Sequence, residues 1–303
     1  MSKPETLDAA LLARMPLPDH PDDSDKNERG AVLVIGGSRE LAGAALLAGT
    51  GALRAGAGKL QIATSQSVAV QLGVAVPEAR VIGLAETDEG CIAHVEFERL
   101  IAAMEGTQAV LLGPGLQHGD PLDDLLDRVL ATRLDLPLVL DAAVLGSLSE
   151  RAGALHAWPG GAMLLPHGGE MARLLERKPD EVEADPLAAA REAAERFGAV
   201  TLMKGGTSHI VAPDGRAVRY AGGGVGLATS GSGDTLAGIV AGLAARGAEP
   251  FEAVCWGVYL HGEAGRTLSR EVGKVGFLAR ELLDLVPRLM MQNCASNRQF
   301  RSS

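Results

Sequence analysis

Short, nearly unbroken apolar runs alternate with helical stretches along most of the chain. Ala31-Val-Leu-Val-Ile35, Lys59-Leu-Gln-Ile-Ala63, Ala109-Val-Leu-Leu112, Leu138-Val-Leu140, Ala162-Met-Leu-Leu165 and Val200-Thr-Leu-Met203 show little of the polar alternation of a half-exposed strand. Strands buried on both faces read this way, and they occur where helices cover both sides of a parallel sheet. A further strand is expected at 79–83. Helices are expected between the strands, at 41–54, 67–76, 95–104, 122–132, 143–149, 170–177 and 186–196, the last with Asp185 as cap and Pro186 at its first position. The hairpin 209–212 and 217–221 turns at Asp214-Gly215, and helices at 235–246, 250–270 and 277–291 follow it. The pattern predicts an α/β fold: one open, mostly parallel sheet with helices on both faces.

No linker-like stretch divides residues 30–291, which therefore read as one domain. Before them, residues 1–29 form an acidic segment with a short helix at 6–14 and a solvated run, Asp22-Asp-Ser-Asp25. After them, residues 292–303 read as a polar, disordered tail. With 39 glycines and only 3% aromatic residues, the core must rest on small aliphatic side chains. The glycine-rich helix 41–54 implies close approach to the sheet or to a ligand, because each helical glycine costs about 1 kcal/mol against alanine. A net charge of −10 argues against a nucleic-acid binder held by general basicity. It leaves room for an anionic small molecule at a local positive site. Cys91, Cys255 and Cys294 lie far apart, which favours a reducing compartment over a disulfide framework. No basic segment leads into an apolar core at the N-terminus, and Arg54 interrupts the smoothest apolar stretch, Leu41–Leu60. The expectation is a cytoplasmic protein without a membrane partner.

Ligands of open α/β sheets sit beyond the carboxyl ends of the strands. Gly36-Gly-Ser38, Gly113-Pro-Gly115, Asp141, Pro166-His-Gly-Gly-Glu170 and Lys204-Gly-Gly-Thr-Ser208 all fall there. A glycine-rich loop, Gly222 to Asp234, then delivers backbone N–H groups to the start of a helix, a ready anion site. Asp234 in that first turn is either a simple cap or a carboxylate that handles a proton or a metal. There is no P-loop, no Gly-x-Ser-x-Gly elbow, no dinucleotide Gly-x-Gly-x-x-Gly and no histidine pair with zinc spacing. Among the seven histidines, His167 at a strand end reads as functional and His261, inside a helix, as structural.

Gly231-Ser-Gly-Asp234 opening a helix resembles the anion-hole signature of the ribokinase-like superfamily. The ordered series is more specific. Gly43-Ala-Ala-Leu-Leu-Ala-Gly, Gly113-Pro-Gly, Leu140-Asp-Ala, Pro166-His-x-Gly-Glu-Met-Ala-Arg-Leu-Leu, Lys204-Gly, Gly-Ser-Gly-Asp-Thr-Leu-Ala-Gly and Tyr259-Leu-His-Gly together resemble the ADP-dependent NAD(P)H-hydrate dehydratases over about residues 28–290. The resemblance implies repair of hydrated NADH or NADPH, with ADP as phosphoryl donor and Mg2+ accompanying its phosphates. It implies Asp234 as the catalytic base, and Lys204, Gly205, Gly206, Thr207, Ser208, Gly231, Ser232 and Gly233 around the nucleotide and its transferred phosphoryl group. Ala44, Gly115 and His167, with Asp234, would line the hydrate pocket. A homo-oligomer, a tetramer in relatives, is also implied, and the epimerase domain fused ahead of this domain in some relatives falls outside the match. Gly168 stands where a proline is expected, implying a looser turn. Ala143, Ser230-Gly-Ser232 and the one-residue shift of threonine to Thr207 are further departures. The rival readings are a vitamin kinase of the same superfamily and a nucleotide-binding module without catalysis.

Overall fold

The computed structural model describes residues 3–21 and 23–301. Its strands in chain order are β1 (Glu5–Thr6), β2 (Ala31–Ile35), β3 (Lys59–Ser65), β4 (Ala79–Leu84), β5 (Ala109–Leu112), β6 (Leu138–Leu140), β7 (Ala162–Leu164), β8 (Val200–Met203), β9 (Ser208–Val211) and β10 (Ala217–Tyr220). They form a single sheet in the order β1-β10-β9-β8-β7-β6-β5-β2-β3-β4. Neighbours pair in parallel except at β9, which runs against both β8 and β10. The predicted sheet and hairpin are both present.

Alternation within each strand feeds two cores. Val32 and Val34 of β2 join the core beneath the helices Ala42–Arg54, Ser232–Ala245 and Pro250–Glu271. Leu33 and Ile35 join the core on the opposite face, with Phe97, Leu126, Val129 and Phe197. Every β2 residue is buried, which is why the run lacks polar positions. The two glycine-rich helices on the first face run parallel and nearly touch. A Cβ on Gly238 would lie 2.0 Å from the Ala48 carbonyl oxygen, and one on Gly242 would lie 2.4 Å from that of Ala52. The expected close approach is therefore helix against helix, and it brings both helix N-termini to the carboxyl ends of the strands.

Three expectations change. Residues 1–29 are not a segment apart from the domain. β1 extends the sheet, Leu7 and Leu12 are buried in the first core, and Met15 accepts a 2.6 Å hydrogen bond from the buried Trp256 indole. The N-terminal helix is Ala9–Ala13, capped by Asp8, because Thr6 belongs to the strand. Asp23 and Asp25 are exposed as expected; Asp22 lies outside the described residues. The final helix runs Ala279–Arg301 through Pro287 rather than ending in a disordered tail at Gln292. Polar composition alone does not stop a helix, and no glycine or proline follows Pro287 to do so. Residues 302 and 303 lie outside the described ones. Among the described residues, no helix is long and apolar enough to cross a membrane.

Candidate active site

The strand order reverses between β2 and β5. A crevice opens at such a switch point, beyond the strand ends. The loops after these two strands meet there: the Gly37 amide donates to the Pro114 carbonyl at 2.8 Å. Gly115 has φ +71° and approaches the Ala42–Arg54 helix so closely that a Cβ would stand 2.5 Å from the Leu41 carbonyl and 2.9 Å from the Ala44 Cβ. Ala44 and Gly115, implied as hydrate contacts, are thus neighbours at the crevice.

The next strand ends carry the charges. β6 leads into the buried Asp141, followed by Ala142 at φ +57°. A non-glycine residue in that conformation costs on the order of 1–3 kcal/mol, a strain that clusters at functional sites. β7 leads into His167, which caps the helix Gly168–Leu174. The Gly169 amide donates to His167 Nδ1 at 3.1 Å, and the His167 amide donates to Glu170 Oε2 at 2.8 Å. The turn at Gly168, expected to be looser, is closed by this reciprocal pair. β8 leads into Lys204, whose Nζ donates to Asp141 Oδ1 at 2.8 Å and lies 3.7 Å from Glu170 Oε2. Burial pulls the Lys204 ammonium down, but Asp141 and Glu170 outweigh it and hold the group above its ordinary value. Burial pushes the Asp141 carboxyl up, against the pull of Lys204.

The glycine-rich loop enters the Ser232–Ala245 helix through Gly231, an N-cap at φ +85° with no side-chain cap. The Ser232 and Thr235 amides reach Thr229 and Gly231. Those of Gly233 and Asp234 have no protein acceptor among the described residues. A Cβ on Gly233 would lie 3.6 Å from Lys204 Nζ, so the ammonium stands beside the helix start. Fixed dipoles beside a positive charge form an arrangement that suits an anion. Asp234 sits in this first turn. Burial, then the charges of Asp141 and Glu170, push its carboxyl up to about 6 against the opposing Lys204. Such a carboxyl is poised to take a proton near neutral pH.

A cavity of about 820 Å³ opens beside this helix start. Lys204, Gly205, Gly206 and Ser208 line it with Thr229, Ser232 and Gly233, and His167 stands at its wall. Val225, Leu227, Leu236 and Val258 give it an apolar side. Ser208, not Thr207, presents its residue to the cavity, so the shifted threonine leaves a serine in the lining position. Ala44 and Gly115 lie apart from this cavity, across the helix start, where Gly231 meets Leu47 of the Ala42–Arg54 helix.

The sequence places Asp141 and Glu170 at ligand-bearing strand ends without a specific role and reads His261 as structural. His261 lies on the cavity wall, with Nε2 3.0 Å from Ser232 Oγ. The available signal was a histidine within an otherwise apolar helical stretch, three residues after Val258. No cluster of three or more His, Cys, Asp or Glu among the described residues could hold a metal unaided. Asp141 is ion-paired with Lys204, and Glu170 accepts the His167 amide beside the same ammonium, so neither carboxylate is a free ligand for Mg2+.

The sheet order and the anion-site helix define a ribokinase-like α/β protein. The solved structure of the ADP/ATP-dependent NAD(P)H-hydrate dehydratase of Bacillus subtilis, co-crystallised with ATP/Mg2+, is similar over 97% of this chain and 100% of that one, with a TM-score of 0.81 and 30% identity. The profile of the NAD(P)H-hydrate dehydratase family matches residues 32–288. The chain belongs to that family. It is 44% identical over 285 residues to the ADP-dependent (S)-NAD(P)H-hydrate dehydratase of Xanthomonas campestris pv. campestris, covering 94% of this chain and 96% of the relative. Against the bifunctional NAD(P)H-hydrate repair enzyme of Moorella thermoacetica, 37% identical over 281 residues, it spans 53% of the relative's length.

Proposed function

We propose that the protein dehydrates the hydrated forms of NADH and NADPH in an ADP-dependent reaction, with Asp234 as the base. The observation that carries this reading is the raised carboxyl of Asp234 placed beside two open amides and the Lys204 ammonium. Hydroxide leaves poorly, so the C6 hydroxyl of the hydrate must first become a phosphate ester. Asp234 accepts its proton as the oxygen attacks the terminal phosphoryl group of ADP. The Gly233 and Asp234 amides and Lys204 stabilise charge on the transferred group, and AMP leaves. The C6–O bond then breaks, the departing inorganic phosphate takes up a proton from C5, and the C5=C6 double bond of the dihydropyridine is restored.

The cavity lined by Lys204, Gly205, Gly206, Ser208, Ser232 and Gly233 holds the nucleotide, with Thr207 in the same loop and Gly231 shaping the helix entry. Ala44 and Gly115 line the hydrate side, while His167, on the wall of the nucleotide cavity, would meet the hydrate where the two ligands adjoin. Mg2+, when bound with the nucleotide, would neutralise charge on its phosphates. The protein works in the cytoplasm as a homo-oligomer, a tetramer by analogy with relatives. The exposed Val70 and Val74 beside the open edge of β4 favour self-association, and light scattering tests it. The activity is tested by absorbance at 340 nm on hydrated NADH with Mg2+, adding ADP or ATP in turn. A rise with ADP is expected. A rise with ATP alone overturns the donor, and a stable phosphorylated vitamin in place of any rise would favour a kinase.

A further inference from the structure

His261 sits in the middle of the Pro250–Glu271 helix among Val258, Leu260 and Ala264, all buried. An imidazole in such a place loses its hydration and needs a partner to offset the loss. Its partner is Ser232, the first residue of the anion-site helix, at 3.0 Å from Nε2 to Oγ. Both side chains are at least nine-tenths buried, and both line the nucleotide cavity. Gly231 occupies the cap position without a side chain, so the Ser232 hydroxyl is not engaged as the helix cap.

Two arrangements satisfy the contact. If Nε2 carries a lone pair, the serine proton is spent on it. If Nε2 carries the proton, it donates to Ser232 Oγ, and the hydroxyl proton is free to turn toward the anion site. We propose that His261 is a positioning residue that holds the second arrangement. The Ser232 hydroxyl then joins the Gly233 and Asp234 amides as a third donor to the transferred phosphoryl group. The imidazole itself touches no reacting atom. Burial lowers its pKa to about 4, against a hydrogen bond to the Ser232 backbone and with a smaller push from Lys204, so the ring is neutral at working pH.

The inference rests on the dehydratase reading, and its test is a double-mutant cycle on the full-length protein. His261→Leu and Ser232→Ala each lower kcat about 100-fold, the scale of one lost anion-hole donor, with the KM for ADP changed less than threefold. The double variant is no worse than either single one, and His261→Gln, whose amide can still donate, recovers at least tenfold over His261→Leu. Losses that multiply, or a His261→Leu enzyme as active as the parent, overturn the proposal. A second measurement does not depend on folding of the leucine variant. ¹⁵N spectra of the parent protein, with His261 assigned through His261→Gln, should show the Nε2-protonated neutral tautomer; the Nδ1-protonated form overturns it. Affinity for inorganic phosphate in the presence of AMP separates the two readings. If hydrated NADH is not dehydrated, yet the cycle on phosphate affinity stays non-additive, the reaction is wrong and the His261–Ser232 pairing stands. If dehydration proceeds and the cycle is additive, the pairing fails alone.

Discussion

Replacing Asp234 with asparagine should stop catalysis and stabilise the fold at the same time. The second effect follows from the environment of the carboxyl. It is largely buried and faces Asp141 and Glu170, which lift it from the ordinary 3.8 to about 6. A group bound more tightly to its proton in the folded state than in the unfolded one stabilises the fold while protonated and loses that advantage as pH rises. Below about pH 4 both states are protonated and nothing is lost. Between about 4 and 6 the loss develops, and above pH 7 it is complete, at about 3 kcal/mol by the 1.36 kcal/mol carried by each tenfold change in proton affinity. At pH 5 the same relation gives roughly half of that. An asparagine side chain cannot ionise, so Asp234→Asn should gain about 3 kcal/mol at pH 7.5, a rise in Tm of about 5–10 °C for a chain this size. The gain should be roughly halved at pH 5. The turnover of the variant should fall at least about 100-fold, the usual scale for a lost general base, while nucleotide binding persists. In the parent enzyme, kcat/KM should rise with pH through an apparent pKa near 6. An Asp234→Asn protein no more stable than the parent at pH 7.5 would refute the argument from burial and like charge. Near-normal turnover would refute the base assignment.

Lys204→Met leaves Asp141 buried beside Glu170 without its counter-ion, so denaturant titration should show a loss of about 3–5 kcal/mol. Adding Asp141→Asn should return most of it, while nucleotide binding measured by calorimetry stays weak. Gly233→Ala places a methyl in ordinary contact, 3.6 Å from Lys204 Nζ; the protein should keep its Tm within a few degrees and lose ADP affinity. Gly238→Ala is the opposite case. Its Cβ would fall 2.0 Å from the Ala48 carbonyl, so the two parallel helices must separate, and thermal unfolding should show a large loss of stability before any binding is measured. At Gly115 the left-handed φ and the 2.5 Å approach to Leu41 coincide, so Gly115→Ala should raise the KM for hydrated NADH more than that for ADP.

The sheet was legible from one end of the catalytic domain to the other because burial on both faces removes polar positions from each strand. Ala31–Ile35, Ala109–Leu112 and Val200–Met203 coincide with their strands residue for residue. The helix after the glycine-rich loop was legible too, since Leu236, Ile239, Val240 and Leu243 recur at helical spacing. What local pattern could not hold was pairing across the chain. The two-residue strand at Glu5–Thr6 has no periodicity of its own and exists only because the β10 edge offers it hydrogen bonds. Lys204 and Asp141 are 63 positions apart, and nothing in either neighbourhood says that one neutralises the other or that Glu170 adds a second charge. The same holds for Asp234. Its place in a first turn was plain from sequence, but its raised proton affinity is set by burial and by carboxylates from two other strand ends. His261 shows the complementary case: its place within an apolar helix face was legible, but its partner Ser232, 29 positions away, was not. Sequence determined the layers, the strand ends and the residue types available there, because these follow from local burial and backbone freedom. Only the tertiary structure decided which charges and hydrogen-bonding groups meet, because that depends on strand order and on glycine-permitted helix contact across distant parts of the chain.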